Sequence, residues 1–219
     1  MFQAMGAHGP ALSPLAELLL DVVLLGSAFV LLARPTKRPF FDTLFMASLV
    51  VSVSLLRVVM QPLPNVQPVT VAALLVGAQL GARRGAAFAV LVAMISNMFM
   101  GDGWWTVFQA AGWASVAVAG SRLPLVTSAG LNLGRVCMAS IAAAFWFDFL
   151  VSFSILDGTF GFYEFVIYLG HGLPFDFLHM VGNLTFVVWL GKWFFNLLEE
   201  QPTLEEIEVA VVNGHGIDG

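Results

Sequence analysis

The sequence predicts an all-α bundle of membrane-spanning helices, and three observations carry that expectation. The 219 residues are 59% hydrophobic and only 11% charged, whereas a soluble domain carries roughly 25% charged residues. The apolar residues fall into runs close to the ~20 residues a spanning helix needs. Proline, glycine and arginine clusters separate those runs. Such a chain cannot clothe itself in polar surface, so its solvent is a lipid bilayer.

Seven runs are expected to span: 14–33, 44–60, 67–81, 86–100, 107–121, 134–156 and 178–198. "RPTKRP" ends the first and "QPLPNVQP" the second; "ARRG", "GDG" and "SRLP" end the next three. The segment "DGTFGFYEFVIYLGHGLPFDF", 157–177, is apolar but interrupted by Glu164, His171 and Pro174. It reads as a loop containing an interfacial or re-entrant helix, with an eighth span as the alternative. The tail after 198 is acidic and is expected to be disordered. It contributes most of the net charge of −5. The N-terminal "MFQAMGAHGPALSP" lacks the basic start of a signal peptide. The lone Cys137 in an apolar run excludes an internal disulfide and a cysteine metal cluster.

Orientation follows from the basic residues, which concentrate on the cytoplasmic side. Arg34, Lys37, Arg38, Arg83, Arg84, Arg122, Arg135 and Lys192 all fall on one side if seven helices alternate. The N-terminus is then outside and the C-terminus cytoplasmic. The ninth, Arg57, falls near the outer end of span two. Charges inside spans are costly and carry a partner or a task. Glu17 and Asp21 share a helix face at i,i+4, and Asp148 stands in "FWFDFLV". Arg57 is expected either to pair with a carboxylate and fasten helices together, or to stand at the rim of a substrate cavity.

The outer stretches are the chemically rich ones. They hold Asn65, Gln67 and Thr70; Asn97, Asp102, Trp104, Trp105, Gln109 and Trp113; and His171, Asp176, His179 and Asn183. Ligand pockets combine aromatic walls with a few placed polar groups. Amides donate and accept without the desolvation cost of a charge. The plain alternatives are an aromatic belt for Trp104 and Trp105 and interhelical hydrogen bonds for Asn97, Gln109 and Asn183. His171, Asp176 and His179 make a weak metal set. There is no phosphate-binding loop, GxSxG or HExxH. Lys192 sits too near the inner end for a buried Schiff base and is expected to snorkel. Neither a nucleic-acid partner nor a cofactor is expected.

The ordered motifs from "SLLRVVMQPLPNVQPV" to "GDGWWTVFQAAGWASVAVAG" resemble the substrate-binding S component of energy-coupling factor (ECF) transporters. In that family a Pro/Asn outer loop leads into a short helix and a glycine-rich inner turn, here Leu80 to Gly85. A Ser-Asn pair, a Gly-x-Gly-x-Trp turn, and a Gln and Trp follow: Ser96, Asn97, Gly101, Gly103, Trp105, Gln109 and Trp113. "GLPFDFLHMVGNLTF" resembles the approach to the last family helix. The resemblance covers roughly 44–198, giving a six-helix core. Residues 1–43 then form an extra N-terminal helix with a basic loop, and 199–219 a cytoplasmic tail.

The resemblance implies a multi-pass protein of a prokaryotic plasma membrane, not an enzyme, that binds a vitamin or related micronutrient from outside. Energy would come from a transmembrane coupling subunit with two ATPase subunits. Docking would use small residues on the first core helix, here Ala47, Ser48 and Ser52. The implied substrate-binding set is Arg57, Asn65, Gln67, Asn97, Trp104, Trp105, Gln109, Trp113, His179 and Asn183, with neither catalytic residues nor a resident metal. Two alternatives stand beside it. One is an intramembrane enzyme built on Asp148, Asp176 and His179, which requires those groups to converge. The other is a membrane sensor or scaffold whose acidic tail recruits a partner.

Overall fold

The computed structural model describes residues 12–33, 39–156 and 161–199. The basic loop residues Arg34, Lys37 and Arg38, and the tail from 200 onward, lie outside the described residues. The chain is an all-α bundle: α1 Pro14–Leu32, α2 Pro39–Val59, α3 Val69–Met100, α4 Trp105–Gly120, α5 Leu133–Ser152, α6 Phe162–Phe186 and α7 Lys192–Glu199. A short 3-10 turn, Phe153–Ile155, follows α5, and a π-helical turn, Val187–Gly191, joins α6 to α7. Val126–Thr127 and Gly130–Leu131 make a small antiparallel hairpin between α4 and α5, which the sequence analysis did not anticipate.

Among the described residues, five helices are long and apolar enough to cross a membrane. Their outward faces carry exposed Leu15, Leu18, Val22, Phe29, Leu55, Val59, Val181 and Trp189. Apolar surface this extensive marks a face that meets lipid, and the protein is a multi-pass membrane protein.

The expected third and fourth spans are the two arms of α3. Gly81 (φ 84°, ψ 167°) breaks the helix and folds 82–100 back along 69–80. An L-residue is strained at that φ, so glycine makes the reversal cheap. The first arm is the centre of the molecule, with every residue from Val69 to Gly77 buried. Small residues set its spacing. A Cβ on Gly77 would lie 1.9 Å from the Ala117 carbonyl oxygen, and one on Gly120 2.1 Å from that of Leu74. One on Gly85 would meet the Gly77 backbone at 2.8 Å. Close backbone approach through small residues is how membrane helices gain packing contact. α1 lies on the outside with Ala28 as its buried residue. Arg83 ties down its C-terminal end by donating to the Val30 and Leu31 carbonyl oxygens at 2.9 and 3.3 Å. At the same end of the bundle Arg84 pairs with Asp42 at 3.0 Å.

One expectation needs correction. The segment 157–177, expected as a loop with an interfacial or re-entrant helix, is from Phe162 onward the first part of α6, continuous with the last span through Glu199. Pro174 is accommodated inside the helix, where it removes one backbone donor. Thirty-eight residues at about 1.5 Å each give roughly 57 Å, well beyond the ~30 Å hydrocarbon core. The helix is therefore one long element with room for an interfacial portion, and the Glu164, His171 and Pro174 interruptions do not break it.

Candidate functional site

Arg57 stands on the last turn of α2 and is 2% exposed. It faces the loop that follows α2, the end of α3 and the start of α4, all at the bundle end opposite Gly81. Its Nε donates to Gln67 Oε1 at 3.0 Å and its Nη2 to Gln109 Oε1 at 3.3 Å. Its Nη1 donates to Asn97 Oδ1 at 2.7 Å and to Ser96 Oγ. The guanidinium lies 4.8 Å from the Trp113 ring centroid. Among the described residues no carboxylate forms an ion pair with it, so the expected Arg57–carboxylate fastening is not what the structure contains. A buried charge costs several kcal/mol to desolvate. Here neutral oxygens and a π face offset that cost, each charge-assisted bond contributing about 1.5–3 kcal/mol and the desolvated ring about 2 kcal/mol.

Arginine only donates, and that fixes the amides around it. Gln67, Asn97 and Gln109 must all turn their oxygens inward. The donors of Asn97 are then both spent, its Nδ2 donating to Thr106 Oγ1 at 2.7 Å and to Gln109 Oε1 at 2.8 Å. Asp102 holds the turn, accepting from the Gly103 N–H at 2.8 Å and from the Thr106 hydroxyl. Gly101 (φ 108°) ends α3 and allows the reversal into α4. Asp21 of α1 lies beside Asp102.

A cavity of about 430 Å³ opens on this cluster, lined by Arg57, Gln61, Asn97, Met100, Gly101, Trp105 and Gln109. Four of the expected substrate-binding residues thus share one hollow: Arg57, Asn97, Trp105 and Gln109. Gln67 and Trp113 support Arg57 from outside its lining. Gln61 and Met100 are lining residues that the sequence analysis did not select; Gln61 had only its place in the "QPLPNVQP" loop as a signal.

The remaining candidates build a second cluster. Nothing in the sequence brings Asp148 and His179 together, yet His179 Nδ1 lies 2.9 Å from Asp148 Oδ2. His179 Nε2 is 2.8 Å from Thr70 Oγ1, and that oxygen accepts from Trp113 Nε1 at 3.1 Å. Asp176 lies close to Asp148. Asn65, in the left-handed region at φ 56°, donates to Asp148 Oδ1 at 3.5 Å and to the Phe175 carbonyl at 3.3 Å. Phe147 joins the clusters, stacking on Trp113 at 4.4 Å and standing edge-on to His179 at 5.5 Å. Polar side chains thus run from Asp148 on α5 through His179 on α6 and Thr70 on α3 to Trp113 on α4, beneath Arg57 on α2. Thr70 is 1% exposed and lines neither this cavity nor the groove described below.

Asn183 and Trp104 sit elsewhere. Asn183 is buried and donates to the Ser140 carbonyl at 3.0 Å, tying α6 to α5. Trp104 packs edge-on to Phe108 at 5.3 Å, outside the cavity lining. Among the described residues no three His, Cys, Asp or Glu side chains are arranged to hold a metal, so His171, Asp176 and His179 do not assemble as a ligand set. A second hollow, an apolar groove of about 360 Å³, runs between α2, α3 and α7. Ser48 and Ser52 line it, and Ala47 is exposed beside them.

A family model, DUF6580, described as a family of unknown function, matches residues 37–204. The chain belongs to the DUF6580 family. Both clusters and the apolar groove lie inside the matched DUF6580 range, and α1 precedes it. No curated protein and no solved structure matches the chain.

Proposed function

We propose that this DUF6580 chain captures a small organic solute, a vitamin or related micronutrient, in the Arg57 cavity and delivers it across the membrane. In this reading it is a transporter subunit rather than an enzyme. The observation that carries the reading is the joint lining of one hollow by Arg57, Asn97, Trp105 and Gln109, residues chosen from separate stretches of sequence. A cavity with polar donors on one side and an aromatic wall on the other suits an organic ligand. The cavity end is then the outer face of a prokaryotic plasma membrane. The end bearing Arg83, Arg84, Arg122 and Arg135 is cytoplasmic, in keeping with the distribution of basic residues. α1 enters from outside and the tail ends inside. As in ECF transporters, energy is supplied by two ATPases through a transmembrane coupling subunit, and that subunit docks on Ala47, Ser48 and Ser52 of α2. The apolar groove that those serines line supports a helix–helix contact there.

The enzyme reading has one observation in its favour, the Asp148–His179–Thr70 line, which has the order of a carboxylate, a base and a hydroxyl nucleophile. It ranks second because the Thr70 oxygen is enclosed and already accepts from Trp113, so no reacting carbonyl has space beside it. We read this line as a fastening between four helices. Purification of the full chain from its own membranes tests the transport reading. Co-elution of a membrane subunit with an ATPase pair is expected, and repeated recovery of the chain alone contradicts it.

A further inference from the structure

We infer that the solute taken by this cavity carries a single negative charge, and that its carboxylate docks against Arg57 and Gln109. This rests on the solute-binding reading above and names the chemical class. The orientation of the surrounding amides carries it. The oxygens of Gln67, Asn97 and Gln109 and the hydroxyl of Ser96 are all turned toward the guanidinium. What Arg57 and Gln109 keep for a ligand is donors. Gln109 spends Oε1 on Arg57 and on Asn97, and its Nε2 makes no hydrogen bond among the described residues. Those bonds occupy four of the five guanidinium N–H groups, leaving one on Nη2, the nitrogen nearest Gln109. A cavity whose buried cation forms an ion pair with no described carboxylate, and which has unspent N–H groups, recognises an acceptor of opposite charge. A carboxylate accepts from two neighbouring donors at once and forms shorter, stronger bonds than a neutral carbonyl.

Charge balance limits the ligand to a monoanion. Among the described residues Arg57 is the only cation in the lining. The Asp102 carboxylate, held by the Gly103 N–H and the Thr106 hydroxyl just ahead of α4, places a negative charge near a helix end that elsewhere would favour a phosphate. Asp102 and its neighbour Asp21 stand beside the site and oppose a second negative charge. The carboxylate thus sits toward Arg57, and the rest of the molecule lies along Trp105 and Met100.

The test uses the full-length protein in lipid nanodiscs and three probe pairs: benzoate and benzamide, indole-3-acetate and indole-3-acetamide, hexanoate and hexanamide. Thermal unfolding is followed against probe concentration. In at least one pair the acid is expected to stabilise at roughly tenfold lower concentration than its amide, the value of one charge-assisted bond. Arg57→Lys keeps that preference and Arg57→Gln abolishes it. If Arg57→Gln does not fold, the comparison within the wild-type protein and Arg57→Lys decides. Equal stabilisation by acid and amide overturns the anion assignment and leaves the solute-binding reading standing. No stabilisation by any of the six overturns both.

Discussion

Arg57 shows how far single residues can be read. Its identity and approximate depth follow from the sequence, because a lone arginine near the end of an apolar run needs either a partner or a ligand. Its partners do not follow, since Ser96, Asn97 and Gln109 come from elements 39 to 52 residues away. Replacing Arg57 by Met leaves several buried oxygens without a donor. Each unsatisfied group costs about 1–3 kcal/mol, so the unfolding midpoint of the variant in mixed micelles falls clearly below wild type. A wild-type midpoint would mean that the cluster is not held by the guanidinium. Thr70→Val separates the two readings of the second cluster. It strips the hydroxyl shared by His179 and Trp113 and costs about 1–3 kcal/mol in stability, while leaving solute affinity within about threefold because Thr70 does not line the cavity. Abolition of a turnover activity with unchanged stability would instead favour a catalytic hydroxyl. The Asp148–His179 contact is not legible in the sequence, because two residues on different helices meet only once packing sets the rotation of both.

At the level of elements, the apolar runs located α1, α2, α4 and α5 to within a few residues, because run length and breakers carry that information locally. The α6 helix departs from the expected loop for a physical reason. Proline and glycine break helices in water, but in lipid neighbouring groups satisfy the freed carbonyl and the helix continues. The reversal at Gly81 was legible as a glycine-rich turn, although its single-residue economy was not. Substitutions at glycines should therefore divide sharply. Gly120→Val places a side chain on the Leu74 carbonyl and is expected to remove the folded species from size-exclusion profiles. Gly26→Ala, on α1 with open space around it, is expected to leave the profile unchanged and to raise stability by up to about 1 kcal/mol through helix propensity. Equal tolerance at both positions would contradict the α3–α4 packing that positions Gln109 and Asn97.

For the whole molecule, composition sufficed to place the chain in a membrane, and the basic residues proposed which end faces the cytoplasm. Labelling checks that orientation in a Cys137→Ala background. A membrane-impermeant maleimide added to whole cells is expected to modify a Leu63→Cys variant, in the loop beside the cavity, and to spare Ser128→Cys in the hairpin between α4 and α5. The reverse pattern would put the cavity on the cytoplasmic side and contradict uptake from outside.

The claim on which everything else depends is that the Arg57 hollow holds a small molecule. Native mass spectrometry of the full chain, produced in its own host and released gently from nanodiscs, addresses it most directly. The account predicts a bound adduct of small-molecule mass on the wild-type protein, depleted in Gln109→Ala and Trp105→Ala variants that are expressed equally well. A wild-type protein that flies only at its bare mass, or an adduct that survives both substitutions, would contradict it.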